Sequence, residues 1–111
     1  VLHFANAAHF PPAMVVHEDQ VLSLEQAGKP LGLFADVKFG SLRVPFVPGD
    51  RLVVFSDGVL DLMAESSLEA KEQNLRETAL SCSDMESLWS AFDASKLGPD
   101  DVSCLLVSYE Q

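Results

Sequence analysis

Short apolar runs, each closed by turn residues, fill the first half of the chain. Val1 to Ala5 reads as a strand that Pro11-Pro12 breaks. Ala13 to Val16 and Val21 to Leu24 flank the polar link His17-Glu18-Asp19-Gln20, a hairpin pattern. Gly28-Lys29-Pro30 is a loop ahead of the apolar Leu31-Gly32-Leu33-Phe34. Phe39 to Phe46 alternates imperfectly and stops at Pro48-Gly49-Asp50, a strong turn signal. Arg51 to Ser56 (RLVVFS) is β-branched and aromatic and predicts a buried strand. After Gly58 the period changes. Ser66-Ser67-Leu68-Glu69 fits a capping box opening a surface helix to about Leu80, and Ser83-Asp84-Met85-Glu86 fits a second. Behind it Met85, Leu88, Trp89 and Phe92 fall on one helical face, which predicts that Trp89 is buried against the sheet. Gly98-Pro99 should end that helix, and Val102 to Tyr109 (VSCLLVSY) is a last strand.

Strands first, helices next and one strand last make an α+β layout, not a series of βαβ repeats. The RLVVFS and VSCLLV runs are the most continuously apolar. They are expected to be close neighbours in an antiparallel sheet, each buried on both faces.

The chain has 111 residues, enough for one domain or part of one. Seven Lys and Arg stand against 17 Asp and Glu, a formal charge of −10. No basic stripe exists, which disfavours nucleic acid and anionic lipid as partners. An acidic surface suits a basic protein partner, or carboxylates that await metal. No apolar run approaches the roughly 20 residues that span a bilayer. The N-terminus lacks the pattern of a signal peptide. It also lacks a starting Met, and VLHFAN reads like the inside of a strand, so the chain is expected to be a fragment of a longer one. Cys82 and Cys104 belong to no CxxC pair and read as reduced thiols of a cytoplasmic protein.

The candidate chemistry lies at two strand ends. Asp57 follows the RLVVFS run, with Gly58 to let the backbone turn behind it. Asp100-Asp101 precedes the last apolar run. If the two strands are neighbours, these carboxylates converge, and a hard divalent cation relieves their repulsion. Oxygen-only ligands suit Mg²⁺ or Mn²⁺. A routine Asp-Gly surface turn would look much the same.

A haloacid-dehalogenase-like phosphatase would need Asp-x-Asp-Gly with a nucleophilic first Asp, and Phe55 occupies that position. That chemistry is excluded at its essential atom. By contrast, NAAHFPP (Asn6 to Pro12), GKPLG (Gly28 to Gly32), GDRLVVFSDG (Gly49 to Gly58) and DDVSCLLV (Asp100 to Val107) occur in order. With these four motifs the chain resembles the C-terminal half of the metal-dependent type-2C (PPM) Ser/Thr protein phosphatases, in their bacterial sporulation-phosphatase (SpoIIE-like) branch. The resemblance implies an antiparallel β-sandwich flanked by helices, with residues 1–111 forming the C-terminal portion of a single domain. It implies two Mn²⁺ or Mg²⁺ ions that activate a water for direct attack on phosphorus, with no covalent enzyme intermediate. Carried over, Asp57, Gly58 and Asp100 match the metal motifs, and Asp101 is the neighbour most easily confused with Asp100.

The sequence departs from that pattern in three ways. Ala8 and Phe10 stand where the first motif has Gly and Asn. Leu60 and Asp61 stand where Thr and Glu are common. The family's first metal Asp belongs to an N-terminal half that this chain does not include, so it holds part of a site. Arg51, Asn6 and His9 are candidates for substrate contact or structural support; for His9 a structural hydrogen bond weighs more, and Asn6 fits a turn bond. His3, His9 and His17 lack zinc spacing. The implied function is dephosphorylation of a Ser or Thr on a small regulatory protein, such as an anti-sigma antagonist, in bacterial partner switching. A sensor or receiver domain could precede it in the full-length chain. The competing function is a catalytically silent type-2C-like pseudophosphatase that serves as a protein-binding adaptor.

Overall fold

A computed structural model of the chain describes residues 1–6, 9–24, 41–63, 65–92 and 101–110. The GKPLG motif, Gly98-Pro99, Ala8 and Asp100 lie outside the described residues. Four strands form one antiparallel sheet: β2 (Met14–His17), β3 (Gln20–Ser23), β5 (Arg51–Phe55) and β6 (Cys104–Ser108), in the order β3-β2-β5-β6. A second antiparallel sheet pairs β1 (Leu2–Phe4) with β4 (Leu42–Val44). Two helices follow β5, α1 (Leu68–Ser81) and α2 (Met85–Ser90). The α+β architecture of antiparallel strands with helices outside is the one expected. No described helix is long and apolar enough to cross a membrane.

Alternation along the strands decides which face carries the core. Met14, Val16, Val53 and Phe55 point one way and pack with Leu75 and Ala79 of α1 and Leu88 of α2. Burial of that face is nearly complete. On the opposite face Val15 is buried, and Leu52 and Val54 share a cleft with Leu2 and Phe4 of the smaller sheet.

The RLVVFS and VSCLLV runs pair along their whole length, from Arg51 with Ser108 to Phe55 with Cys104. Their burial differs from the expectation. β6 is the edge of its sheet among the described strands, and it leaves Leu105 56% and Val107 40% exposed. The continuously apolar run of β6 is covered only on the face toward α1 and α2.

The helix starts are shifted by one residue from the expected boxes. Ser67 caps α1 by accepting the Ala70 N–H, and Asp84 caps α2 by accepting the Ser87 N–H. Glu69 and Glu86 therefore sit one position too early to reach back to their caps. Helix α2 ends at Ser90, well before Gly98-Pro99. Its last turn tightens through bonds from Ala91 N to Leu88 O and from Phe92 N to Trp89 O. Leu88 is the buried residue of α2, and Phe92, half-buried just past its end, meets Phe55 edge-to-face at 5.7 Å. Trp89 lies about 100° further round the helix and is 47% exposed, which corrects the expectation that it is buried.

A buried acid closes the other end of β5. Asp50, 3% exposed, accepts the Val47 N–H at 3.0 Å and lies 2.6 Å from His17 Nδ1. The hydrogen bond and charge of Asp50 hold His17 above its ordinary 6.5. Burial pushes Asp50 up, yet the Val47 N–H and His17 together hold it below its ordinary 3.8. His17 thus stabilises the fold fully below pH 6.5, and this is lost as pH rises through its raised folded value. Asp50 contributes fully above pH 3.8, and this is lost as pH falls through its lowered folded value. Between those two pH values both contributions are complete. His17→Gln should flatten the alkaline fall in melting temperature as pH rises above 6.5, where the His17 contribution is otherwise lost. Parallel alkaline falls in the two proteins would refute this assignment.

Candidate metal centre

The centre is built outward from β5. Val53 and Phe55 anchor the strand in the core, and Ser56 leaves it with extended backbone. The next six residues, Asp57–Leu62, form a 3-10 helix in place of the expected turn. Val59 and Leu62 are three residues apart, eclipse in such a helix and are both buried. Gly58 is buried beside them. This apolar underside holds the segment down and leaves Asp57, its first residue, exposed.

On the neighbouring strand Asp101 is exposed just before β6. Ser56 joins the two acidic segments. Its N–H donates to Ser103 O at 2.9 Å, and its Oγ accepts the Ser103 N–H at 2.8 Å and donates to Asp101 O at 3.4 Å. The segments carrying Asp57 and Asp101 are therefore fastened together through one side chain.

His9 reaches the same strand end. Its Nε2 is 3.0 Å from Phe55 O, and a carbonyl only accepts, so Nε2 carries the hydrogen. Asn6 holds His9 in place: Asn6 Oδ1 accepts the His9 N–H at 2.6 Å, and Nδ2 donates to His9 O at 3.1 Å. Both residues thus act on backbone around the end of β5. Arg51 lies at the far end of that strand. Its guanidinium donates to Ala79 O and Leu80 O near the C-terminus of α1, a structural contact that does not point to a bound phosphate.

The donors present are hard oxygens, which agree in kind with Mg²⁺ or Mn²⁺. Among the described residues, no group of three or more His, Cys, Asp or Glu is gathered closely enough to hold an ion. The described residues alone therefore hold too few of these donors for an ion. Cys82 and Cys104 are both free, and burial pushes Cys104, the register partner of Phe55, up to about 11.

Residues 1–110 match the family model described as Stage II sporulation protein E (SpoIIE). The chain belongs to the SpoIIE family. The structure of the RsbU and RsbW domains of a Mycobacterium tuberculosis protein superposes with a TM-score of 0.73 at 21% identity, covering 97% of this chain and 33% of that one. The PP2C phosphatase domain of SpoIIE from Bacillus subtilis, with a fragment of its regulatory domain, gives 0.69 at 18% identity, covering 97% of this chain and 34% of that one. The phosphatase domain of the same protein, presoaked with Mn, gives 0.65 at 18% identity and covers 98% of this chain and 50% of that one. This SpoIIE-family chain thus spans between a third and a half of these structures and has the fold of part of a PP2C phosphatase domain. No match was found among curated proteins.

Proposed function

We propose that residues 1–111 are the C-terminal portion of a metal-dependent Ser/Thr protein phosphatase domain, acting in the cytoplasm on a phosphorylated regulatory protein in bacterial partner switching. The observation that carries this reading is the joining, through Ser56, of the Asp57 turn to the segment before β6 in a SpoIIE-family chain. In this reading Asp57, Gly58 and Asp100, with Asp101 beside it, hold Mn²⁺ or Mg²⁺ together with ligands from the rest of the domain. When bound, two such ions lower the pKa of a water toward neutrality and clamp the phosphoryl oxygens. This chain's own residues supply negative charge. The 3-10 helix holds Asp57 above the core, and Asn6 with His9 restrains the backbone on which it is mounted.

The −10 charge favours a partner with a basic docking surface around its phosphorylated residue. Relatives carrying RsbU with RsbW and the SpoIIE phosphatase support partner switching as the setting, with an anti-sigma antagonist as the class of substrate. A sensor or receiver domain ahead of the phosphatase domain would complete such a pathway. The free thiols support a reducing compartment.

The full-length protein should release phosphate from a phosphoserine regulatory protein only with Mn²⁺ or Mg²⁺ present, and a chelator should stop it. Ala8 and Phe10, where the first motif has Gly and Asn, favour a second reading as a silent adaptor. Tight partner binding with no phosphate release at saturating Mn²⁺ would decide for the adaptor. An Asp-x-x-Gly segment upstream of Val1 would favour the enzyme.

A further inference from the structure

We infer that the cavity between the β2–β3 hairpin and the stretch joining β4 to β5 is a binding site for an uncharged, largely apolar small molecule that carries a hydroxyl group. The cavity has a volume of about 420 Å³, within the roughly 300–1,000 Å³ typical of small-molecule sites. Val15 and Leu22 of the sheet and Pro45 and Val47 of the joining stretch supply its apolar wall. His17 and Asp50 line it too and supply the polar atoms. Apolar walls with a few placed polar groups are the usual make-up of a ligand site. The inference does not depend on the phosphatase reading.

The backbone places these polar atoms. His17 and Gln20 are register partners across the two-residue turn Glu18-Asp19, where Glu18 adopts φ 53°, a left-handed conformation uncommon for a side chain of that size. Asp50 lies just before β5, which pairs with β2. Both of its oxygens are engaged: Oδ2 accepts the Val47 N–H at 3.0 Å, and Oδ1 lies 2.6 Å from His17 Nδ1. A carboxylate only accepts, so Nδ1 carries a hydrogen. Asp50 thus fixes the orientation of the imidazole, and among the described residues Nε2 has no hydrogen-bond partner. When the ring is neutral, Nε2 presents a lone pair; when it is charged, an N–H. A hydroxyl both donates and accepts, so it can meet either state. A carboxylate could meet only the charged ring, and Glu18, Asp19 and Asp50 would repel it. An ammonium could meet only the neutral ring. Gln20, on the same wall, adds an amide that also donates and accepts.

The test is equilibrium dialysis of the full-length protein against 2-naphthol, naphthalene and 2-naphthoate, which share one apolar body and differ in carrying a hydroxyl, no polar group or a negative charge. The wild type should bind 2-naphthol about 2- to 10-fold more tightly than naphthalene, the range of one net hydrogen bond. It should bind 2-naphthoate more weakly than either. His17→Asn keeps a donor toward Asp50 in the place of Nδ1 and removes the atom at Nε2, so it should bind 2-naphthol and naphthalene alike. Leu22→Trp fills the cavity from an exposed position on β3, an edge strand among the described ones. It should abolish binding of both probes while its melting temperature stays near that of the wild type. The Leu22→Trp comparison stands even if His17→Asn fails to fold. No 2-naphthol binding by the wild type would overturn the inference, and so would equal wild-type affinities for 2-naphthol and naphthalene. Undiminished binding by folded Leu22→Trp, or tightest binding of 2-naphthoate, would overturn it as well. None of these outcomes bears on metal-dependent phosphate release, so the phosphatase reading is tested separately.

Discussion

Asp57→Asn in the full-length protein should abolish Mn²⁺-dependent phosphatase activity while leaving the melting temperature of the metal-free protein nearly unchanged. The substitution deletes a negative charge and keeps the shape. Asp57 is exposed at the start of the 3-10 helix, and the anchoring is done by Val59 and Leu62 beneath it. Little folding energy therefore depends on its carboxylate. In the proposed phosphatase reading metal affinity depends on it, because a neutral amide is a far weaker partner for a divalent cation than a carboxylate. Loss of an outer partner to a ligand typically costs about 10- to 100-fold, so loss of a ligand itself should exceed about 100-fold. Phosphate release and Mn²⁺ titration on both proteins would measure this. Equal turnover would mean that FSDGVLD is only a surface turn.

What could be read from the sequence around this centre was whatever is local. RLVVFS is an unbroken apolar run bounded by Pro-Gly-Asp on one side and Asp-Gly on the other, and it folds as β5 and its flanking turns. VSCLLV announced β6 in the same way. The family motifs pointed to Asp57 for a related reason, since they are contiguous stretches. The features missed are ones where the chain meets itself across long separations. Ser56 finds Ser103 47 residues away, and His17 finds Asp50 33 residues away. Neither pairing leaves a periodic trace. The 3-10 helix did leave one, the three-residue spacing of Val59 and Leu62, but six residues are too few to separate it from a turn. On α2 the periodicity located an apolar face correctly in part. It could not say which edge of that face the sheet would cover, and the sheet took Leu88 and Phe92. Asn6 and His9 were legible as a turn, but the reach of His9 to Phe55 required the fold.

Phe55→Ala should be the most destabilising of the substitutions considered, at about 3–5 kcal/mol. Phe55 is 1% exposed and sits among Val53, Val59, Leu75 and Leu88, where the sheet, the 3-10 helix and both α-helices meet. Truncation would leave a void bounded by several elements at once, so no single one could move in to fill it. It would also remove the edge-to-face contact with Phe92, which helps to fix α2 against the sheet. Domains are commonly stable by only about 5–15 kcal/mol, so such a loss could leave much of the chain unfolded. Trp89→Ala provides the contrast. The larger side chain would suggest the larger penalty, but Trp89 is 47% exposed and its loss should cost about 1 kcal/mol or less. Urea denaturation of the two variants beside the wild type would rank them. If Trp89→Ala proved the more damaging, the packing of α2 described above would be wrong, because Trp89 and not Leu88 with Phe92 would then seat the helix on the sheet.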